Sequence, residues 1–211
     1  MTLILGIAAA LGGHPHDFRG FAQALQARSP IALQPRWLQG IEALLLADLV
    51  GYWVHRLFHR RPLWRFHAIH HSAQTLDWLA ATRLHPVNDM LNRALTILPL
   101  LFLGFQLDVL ASVTPLLTFW AIFIHADLDW DLGPLRLVVV SPRFHRWHHT
   151  SEEEGLDRNF AGLFPVIDVI FGTCHMPRDR VPRRFGLHNE TVPAGLIGQL
   201  AYPFTGSRRA P

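Results

Sequence analysis

The 211-residue chain has one cysteine, no lysine and few charges of either sign. The single cysteine, Cys174, excludes a disulfide framework within the chain, a cysteine-rich zinc site and a cysteine-ligated iron–sulfur cluster. Charged residues make up 17% of the chain, where an ordinary soluble domain carries about 25%. Alternating apolar–polar runs of the kind that build sheets are missing, as are tandem repeats at solenoid periods. Also missing are a dinucleotide or flavin fingerprint and a haem-binding segment, so redox chemistry here would need electrons from outside. The net charge of +3 comes from arginine alone. These arginines flank apolar segments, which fits a membrane surface and argues against a nucleic-acid partner.

What is present is apolar. Half of the residues are hydrophobic and the mean hydropathy is positive. Residues 1–37 read as an N-terminal interfacial and apolar segment. Its opening run, TLILGIAAALGG, falls short of the roughly 20 residues a bilayer span needs, and no basic residues precede it as in a cleaved signal. Phe18 to Gln39 is amphipathic and broken by Pro30 and Pro35. Residues 38–186 read as the main membrane domain. Leu38 to Phe58 is a membrane helix that carries Glu42 and Asp48. Met90 to His125 is a hairpin of two apolar helices that turns at Gly104 to Asp108, with Pro99 kinking the first. Arg56, Arg60, Arg61 and Arg65 mark the cytoplasmic end of the first helix. A hairpin that dips in and returns brings His85 and His125 to that same side. Arg178 to Arg184 reads as a basic stretch at the membrane surface, and residues 187–211 as a C-terminal tail. The predicted fold class is all-α, with multi-pass membrane helices under a cytoplasmic helical cap.

The 14 histidines are not scattered. His55 and His59 stand four apart, on one face of a helix. His67, His70 and His71 in WRFHAIHH stand at i, i+3 and i+4, and His145, His148 and His149 in FHRWHH repeat that form. With His125, nine histidines have metal-ligand spacing. One mononuclear site takes three or four ligands, so nine argue for two metal ions. Histidine has poor helix propensity and a polar ring that is costly to bury, so packing alone would not select it so repeatedly. Neutral imidazole suits zinc, iron, copper and nickel alike. His14, His16, His175 and His188 lie outside the clusters and read as solvated.

HRLFH, WRFHAIHHS, RLHP, PRFHRWHHT and DRNFAGLFPVIDVIFGT occur in that order. Together they resemble the fatty acid hydroxylase/sterol desaturase superfamily over residues 41 to 186. One departure is Ile167, where relatives often carry Trp before the aspartate. The resemblance implies a membrane-bound non-haem di-iron oxidoreductase that uses O2 to hydroxylate or desaturate a lipid, whether sterol, fatty acyl or related. It implies two iron ions, for which zinc can substitute, at His55, His59, His67, His70, His71, His125, His145, His148 and His149. The missing cofactor motifs add an external electron donor: ferredoxin, rubredoxin or a cytochrome with its reductase. The expected location is a bilayer, the bacterial inner membrane or the endoplasmic reticulum of a eukaryote, with the site facing the cytoplasm.

Two further residues are candidates for supporting roles. Asp48 lies seven residues before His55, and the superfamily also has an aspartate near this position. Its carboxylate can either hold the second ring N–H of a ligand histidine or make a structural hydrogen bond to a neighbouring helix. His85 can be a tenth ligand, a supporting partner or a structural residue. Asp157 and Asn159 in DRNF are expected to tie that loop against the third histidine cluster, and Ser151 to Gly155 to form a solvated acidic loop. The rival reading is a di-zinc membrane hydrolase or a structural metal-binding membrane protein. A hydrolase would want a carboxylate base within the clusters, yet only Arg, Phe, Leu, Trp, Ala and Ile separate the histidines. A membrane haem protein would use two of the rings and leave the rest unexplained.

Overall fold

A computed structural model describes residues 18–205 and the backbone of Arg208 and Arg209. His14 and His16 lie outside the described residues. The first of the described helices, α1 (Phe18–Gln26), buries Phe21 and Ala22 against Leu101. Pro30 then opens a single 3-10 turn at Ile31–Leu33, and Pro35 directly precedes the 23-residue helix α2 (Arg36–Phe58). The two prolines break the chain where the sequence places the breaks, because neither can continue a helix from its preceding turn.

α3 (Trp64–His71) follows, and a 3-10 segment, Trp78–Thr82, leads on to His85. α4 (Pro86–Phe102) starts four residues before Met90, where the hairpin is expected to begin. The reason is local: Pro86 sits at the first helical position, and His85 caps the helix by accepting from the Val87 N–H at 3.1 Å. α4 continues through Pro99. Gly104 makes the turn with φ +84°, and a Cβ there would lie 2.3 Å from Ser29 Cβ, so only glycine fits. α5 (Leu107–Ile124) returns toward the start of α4 and is capped by His125.

α4 and α5 both pack on α2, and their backbones approach α2 more closely than they approach one another. Small residues permit the packing: Ala43 and Ala47 of α2 are buried against Leu100, Phe105, Val109 and Val113. At the far end, Gln39 accepts from the Gln106 N–H at 3.1 Å and Arg36 pairs with Asp108 at 2.7 Å. The histidine-bearing ends of α2 and α5 therefore lie together at the other end of the bundle.

There the short helices gather: α3, then α6 (Pro142–His148), whose cap Ser141 accepts from the Phe144 N–H, and α7 (Val166–Ile170). α8 (Leu196–Thr205) lies in the stretch expected as a tail, yet it packs back on α3 through Tyr202, Ala68 and Ile69. A two-residue antiparallel ladder, β1 (Glu190–Thr191) with β2 (Arg208–Arg209), is the only sheet among the described residues. The fold is thus mostly helical.

Of the described helices, α5 is long and apolar enough to cross a membrane by length and composition. α2 carries a different signal. Trp37, Ile41, Leu45, Leu49, Trp53 and Leu57, each four residues from the last, form an outward ridge along the helix, all 36–67% exposed. A water-facing helix surface would be polar there.

Candidate metal centre

Nine imidazoles meet at the capped end of the bundle. They fall into two adjoining groups: His55, His59, His67, His71 and His148, and His70, His125, His145 and His149. Within each group the nearest ring nitrogens lie within 4.8 Å of one another. These are the nine histidines singled out by spacing. The partition follows helix geometry in a way spacing alone does not reveal. On α3, His67 and His71 (i, i+4) enter the first group and His70 the second. On α6, His145 and His149 (i, i+4) enter the second group and His148 the first. Each short helix therefore straddles both groups, and the groups touch: the His71 and His149 rings stack at 4.4 Å between centroids.

Each ring has two nitrogens, and the structure assigns them different work. His55 Nδ1–H donates to the Phe160 carbonyl at 2.9 Å, His148 Nδ1–H to the Arg158 carbonyl at 2.8 Å and His125 Nδ1–H to the Ala121 carbonyl at 2.6 Å. His67 Nδ1–H donates to Asn88 Oδ1 at 3.1 Å, and His59 Nδ1–H to Asp157 Oδ1 at 3.0 Å. With the proton on Nδ1, the lone pair is left on Nε2, the usual arrangement for metal-binding histidine. His59 Nε2 and His148 Nε2 are buried and have no hydrogen-bond partner.

The remaining Nε2 atoms crowd one another. His125, His145 and His149 form a triangle with sides of 3.0, 3.1 and 3.2 Å, and His70 Nε2 lies 3.2 Å from His125. His67 Nε2 is 3.1 Å from both His55 and His71. A nitrogen that carries a hydrogen cannot accept, and one N–H points at one neighbour. Hydrogen bonds therefore cannot satisfy every side of a triangle of imidazole nitrogens. A cation inside each group satisfies all of them at once. The residues fit the metals that the resemblance implies.

The electrostatics agree. Burial, reinforced by neighbouring rings, holds His67, His70, His71, His145, His148 and His149 well below the ordinary histidine value of 6.5. Burial lowers His59 too, opposed by its hydrogen bond to Asp157, whose own carboxyl that bond holds below the usual range. These rings are neutral near pH 7, the form that binds metal.

The DRNF loop does much of the orienting. Asp157, the Arg158 carbonyl and the Phe160 carbonyl hold His59, His148 and His55 in turn. Asp157 and Asn159 take left-handed backbone angles, φ 55° and 58°, which Asp and Asn tolerate best after glycine. Asn159 fastens the loop to the Phe144 carbonyl and to both backbone groups of His175. Two carboxylates then take five consecutive backbone N–H groups. Asp168 accepts from Phe160 and Ala161, and Asp48 from Gly162, Leu163 and Phe164.

Asp48 thus touches no histidine ring. Its hydrogen bonds are structural, and it acts on His55 only through the loop. His85 belongs to neither group: its Nδ1 caps α4 and its Nε2–H reaches the Leu200 carbonyl at 3.2 Å. His188 is exposed, but His175 is half-buried with its ring edge-on to Trp147, so it is not the solvated residue expected. The acidic loop is likewise pinned: Glu152 accepts from the N–H groups of Arg183 and Arg184, and Glu154 pairs with Arg180. Sequence reasoning missed Asn88 and the three carbonyls. Asn88 stands three residues after His85 in RLHPVND; a backbone carbonyl leaves no mark in a sequence.

Two openings reach the histidines. A cavity of about 260 Å³ enters from the helix bundle, past Gly51, Asn88 and Trp120, to His55, His67 and His125. A pocket of similar volume on the opposite side, with Arg61, Asp157 and His188 in its walls, reaches His59, His71 and His148.

Comparison with known proteins bears on what this centre is. A family model described as fatty acid hydroxylase matches residues 41–173. An ornithine lipid hydroxylase of Rhizobium tropici is 33% identical over 176 residues, 83% of this chain and 53% of that protein. Alkylglycerol monooxygenase of Danio rerio is 31% identical over 172 residues (79% and 37%), and that of Homo sapiens 30% over 140 residues (66% and 31%). The chain spans about half the length of these relatives or less. No solved structure matches it. The family match begins within α2, ends at the Thr173 that bonds Asp168, and takes in all nine converging histidines: the chain belongs to the fatty acid hydroxylase family.

Proposed function

We propose that this chain hydroxylates or desaturates a lipid with O2 at a centre of two non-haem iron ions. His55, His59, His67, His71 and His148 would hold one ion, and His70, His125, His145 and His149 the other. The carrying observation is the convergence of nine imidazoles, seven of them buried and two partly buried, into two adjoining groups at the end of a cavity in an apolar bundle. Iron bound there supplies the redox chemistry that O2 requires, which zinc does not. In hydroxylation, one lipid C–H bond, O2, two electrons and two protons give an alcohol and water. In desaturation, the lipid loses two hydrogens and both oxygen atoms leave as water. The electrons come from an external ferredoxin, rubredoxin or cytochrome with its reductase. The chain's own residues fix the tautomers through Nδ1–H and keep the rings neutral.

The hydrolase reading finds no carboxylate base beside the rings among the described residues. Asp48 is spent on three backbone amides, and Asp157 on the far nitrogen of His59. The relatives named for ornithine lipid and alkylglycerol support a lipid as substrate. We further read α2, α4 and α5 as spanning the bilayer, with the histidine end cytoplasmic, in a bacterial inner membrane or the endoplasmic reticulum. The apolar α5, the outward ridge on α2 and the arginines at the histidine end support this.

The test uses the full chain in lipid nanodiscs with a reductant, a lipid extract and isotopically heavy O2. The expected result is two iron ions per chain, with heavy oxygen appearing in a hydroxylated lipid or, for a desaturated lipid, in water. Lipid cleavage that proceeds without O2 overturns the reading, as does a chain that retains no iron.

A further inference from the structure

The cavity beside the histidines carries polar groups that the metal centre does not use. On α4, Asn88, Asn92 and Thr96 stand four residues apart, so they form one ladder along the cavity wall. Asn88 is spent on His67. Thr96 is not spent: its hydroxyl is buried without a hydrogen-bond partner among the described residues. The contrast with its neighbours is informative. Thr114 and Thr118 of α5 bond back to their own helix, at Leu110 and Thr114, as threonine in a helix commonly does. Across the cavity, on α5, Trp120 Nε1 is also buried without a partner, and an indole N–H can only donate. A polar group in an apolar interior costs free energy unless something bonds it, and in a membrane bundle such groups mark a substrate path.

The cavity also has a side entrance. Because the backbones of α4 and α5 approach α2 more closely than they approach one another, a groove of about 590 Å³ runs between them. Groove and cavity share Asn92, Thr96, Leu117 and Ala121 in their walls. On the outer rim, Asp89 and Arg93 pair at 2.8 Å. The cavity alone is below the roughly 300–1,000 Å³ of a whole-ligand site, so it holds part of a lipid while the remainder lies in the groove.

We propose that Thr96 and Trp120, with Asn92, form a subsite for the uncharged polar linkage of a lipid, an ester, ether or amide oxygen, which enters between α4 and α5. This rests on the lipid-oxidising reading above and narrows its substrate class. Trp120 stands five residues before His125, and Thr96 eight residues beyond Asn88. At 1.5 Å per residue these are about 8 and 12 Å along their helices. A linkage held there fixes the register of the lipid, so that C–H bonds at a set distance from the linkage meet the centre. Plain hydrocarbons would leave both donors unsatisfied.

The test reads binding under argon, so it does not depend on turnover. The full chain in nanodiscs, with its metal bound, is photo-crosslinked to a trace diazirine-bearing palmitoyl glycerol. Unlabelled monopalmitoylglycerol and hexadecane compete. Monopalmitoylglycerol is expected to displace the probe at a mole fraction about tenfold lower than hexadecane. Thr96→Val and Trp120→Phe should each cut that preference by about 3–10-fold, the worth of one hydrogen bond. Thr96→Ser should keep it, and metal content should stay unchanged in all three. Equal displacement by the two competitors in the wild-type chain overturns the proposal, whatever the variants do. So does a preference that survives in both Thr96→Val and Trp120→Phe. Failure to find an oxidised lipid would count against the oxidase reading alone, because this measurement does not use it.

Discussion

At the scale of single residues, the centre separates into groups that would hold metal and groups that hold the histidines. Replacing any one of the nine converging histidines by Ala removes a ligand, so iron content and oxygen-dependent product should both fall to background. His188→Ala should leave both unchanged; iron and product measured on each purified variant decide it. Asn88→Ala frees the His67 ring without touching a ligand, and should weaken metal retention by about 10–100-fold. Asp48→Ala strands three buried backbone N–H groups at about 1–3 kcal/mol each, so it should lower stability first and iron content as a consequence. Asp48→Asn keeps an acceptor and should fall between. His85→Ala should cost about 1 kcal/mol as a lost helix cap, with iron content intact. All nine converging histidines were legible, eight because i, i+3 and i+4 spacing is a local property that survives folding, and His125 because the hairpin returns it to their side. The role of Asp48 was not. Seven residues before His55 suggests a shared face, but the three amides that claim its carboxylate come from residues 162–164, which only the fold brings near.

At the scale of elements, α2 is the organising piece, since α4 and α5 both lean on it and its last turns carry His55 and His59. Its length and apolarity were readable, as were the hairpin and its turn at Gly104. The early start of α4 was misread because RLHPVND looks polar; the capping by His85 and Pro86 outweighs that composition. The return of α8 onto α3 was not readable, because its ten residues give no hint of the partner surface. The ridge from Trp37 to Leu57 makes a specific claim about surroundings. On a water-facing surface, Leu45→Asp would be harmless or would improve solubility. In a lipid-facing ridge it should impair insertion, at about 2.5–3.5 kcal/mol for an aspartate near the middle of a span. Alkaline carbonate extraction of membranes should then release a large share of the variant and little of the wild type. Equal extraction of the two would show that α2 does not face lipid.

At the scale of the whole molecule, the helix bundle and its cap differ in what stabilises them. α2, α4 and α5 pack through apolar surface, whereas α3 and α6 are joined through two groups of crowded imidazoles. Removing metal should therefore loosen the cap and spare the bundle. Hydrogen exchange should rise over residues 64–71 and 142–149 and remain slow across α2, α4 and α5. Acid should act on the same place. Six of the cap's histidines are held well below 6.5 in the folded chain, first by burial and then by one another. Unfolded, each would protonate near 6.5. Below that pH the unfolded chain binds more protons than the folded one, so stability falls as the pH drops. The contribution is present well above 6.5 and is lost progressively as the pH falls through that value and beneath it. Bound metal competes with those protons and should be released over the same range. Thermal unfolding of the metal-free chain in detergent at pH 7.5, 6.5 and 5.5 separates the cases. A midpoint that falls modestly from the first to the second and steeply from the second to the third is expected. A midpoint level across all three would mean that the cap's imidazoles are free to protonate in place, and that the folded chain does not hold them neutral for a metal.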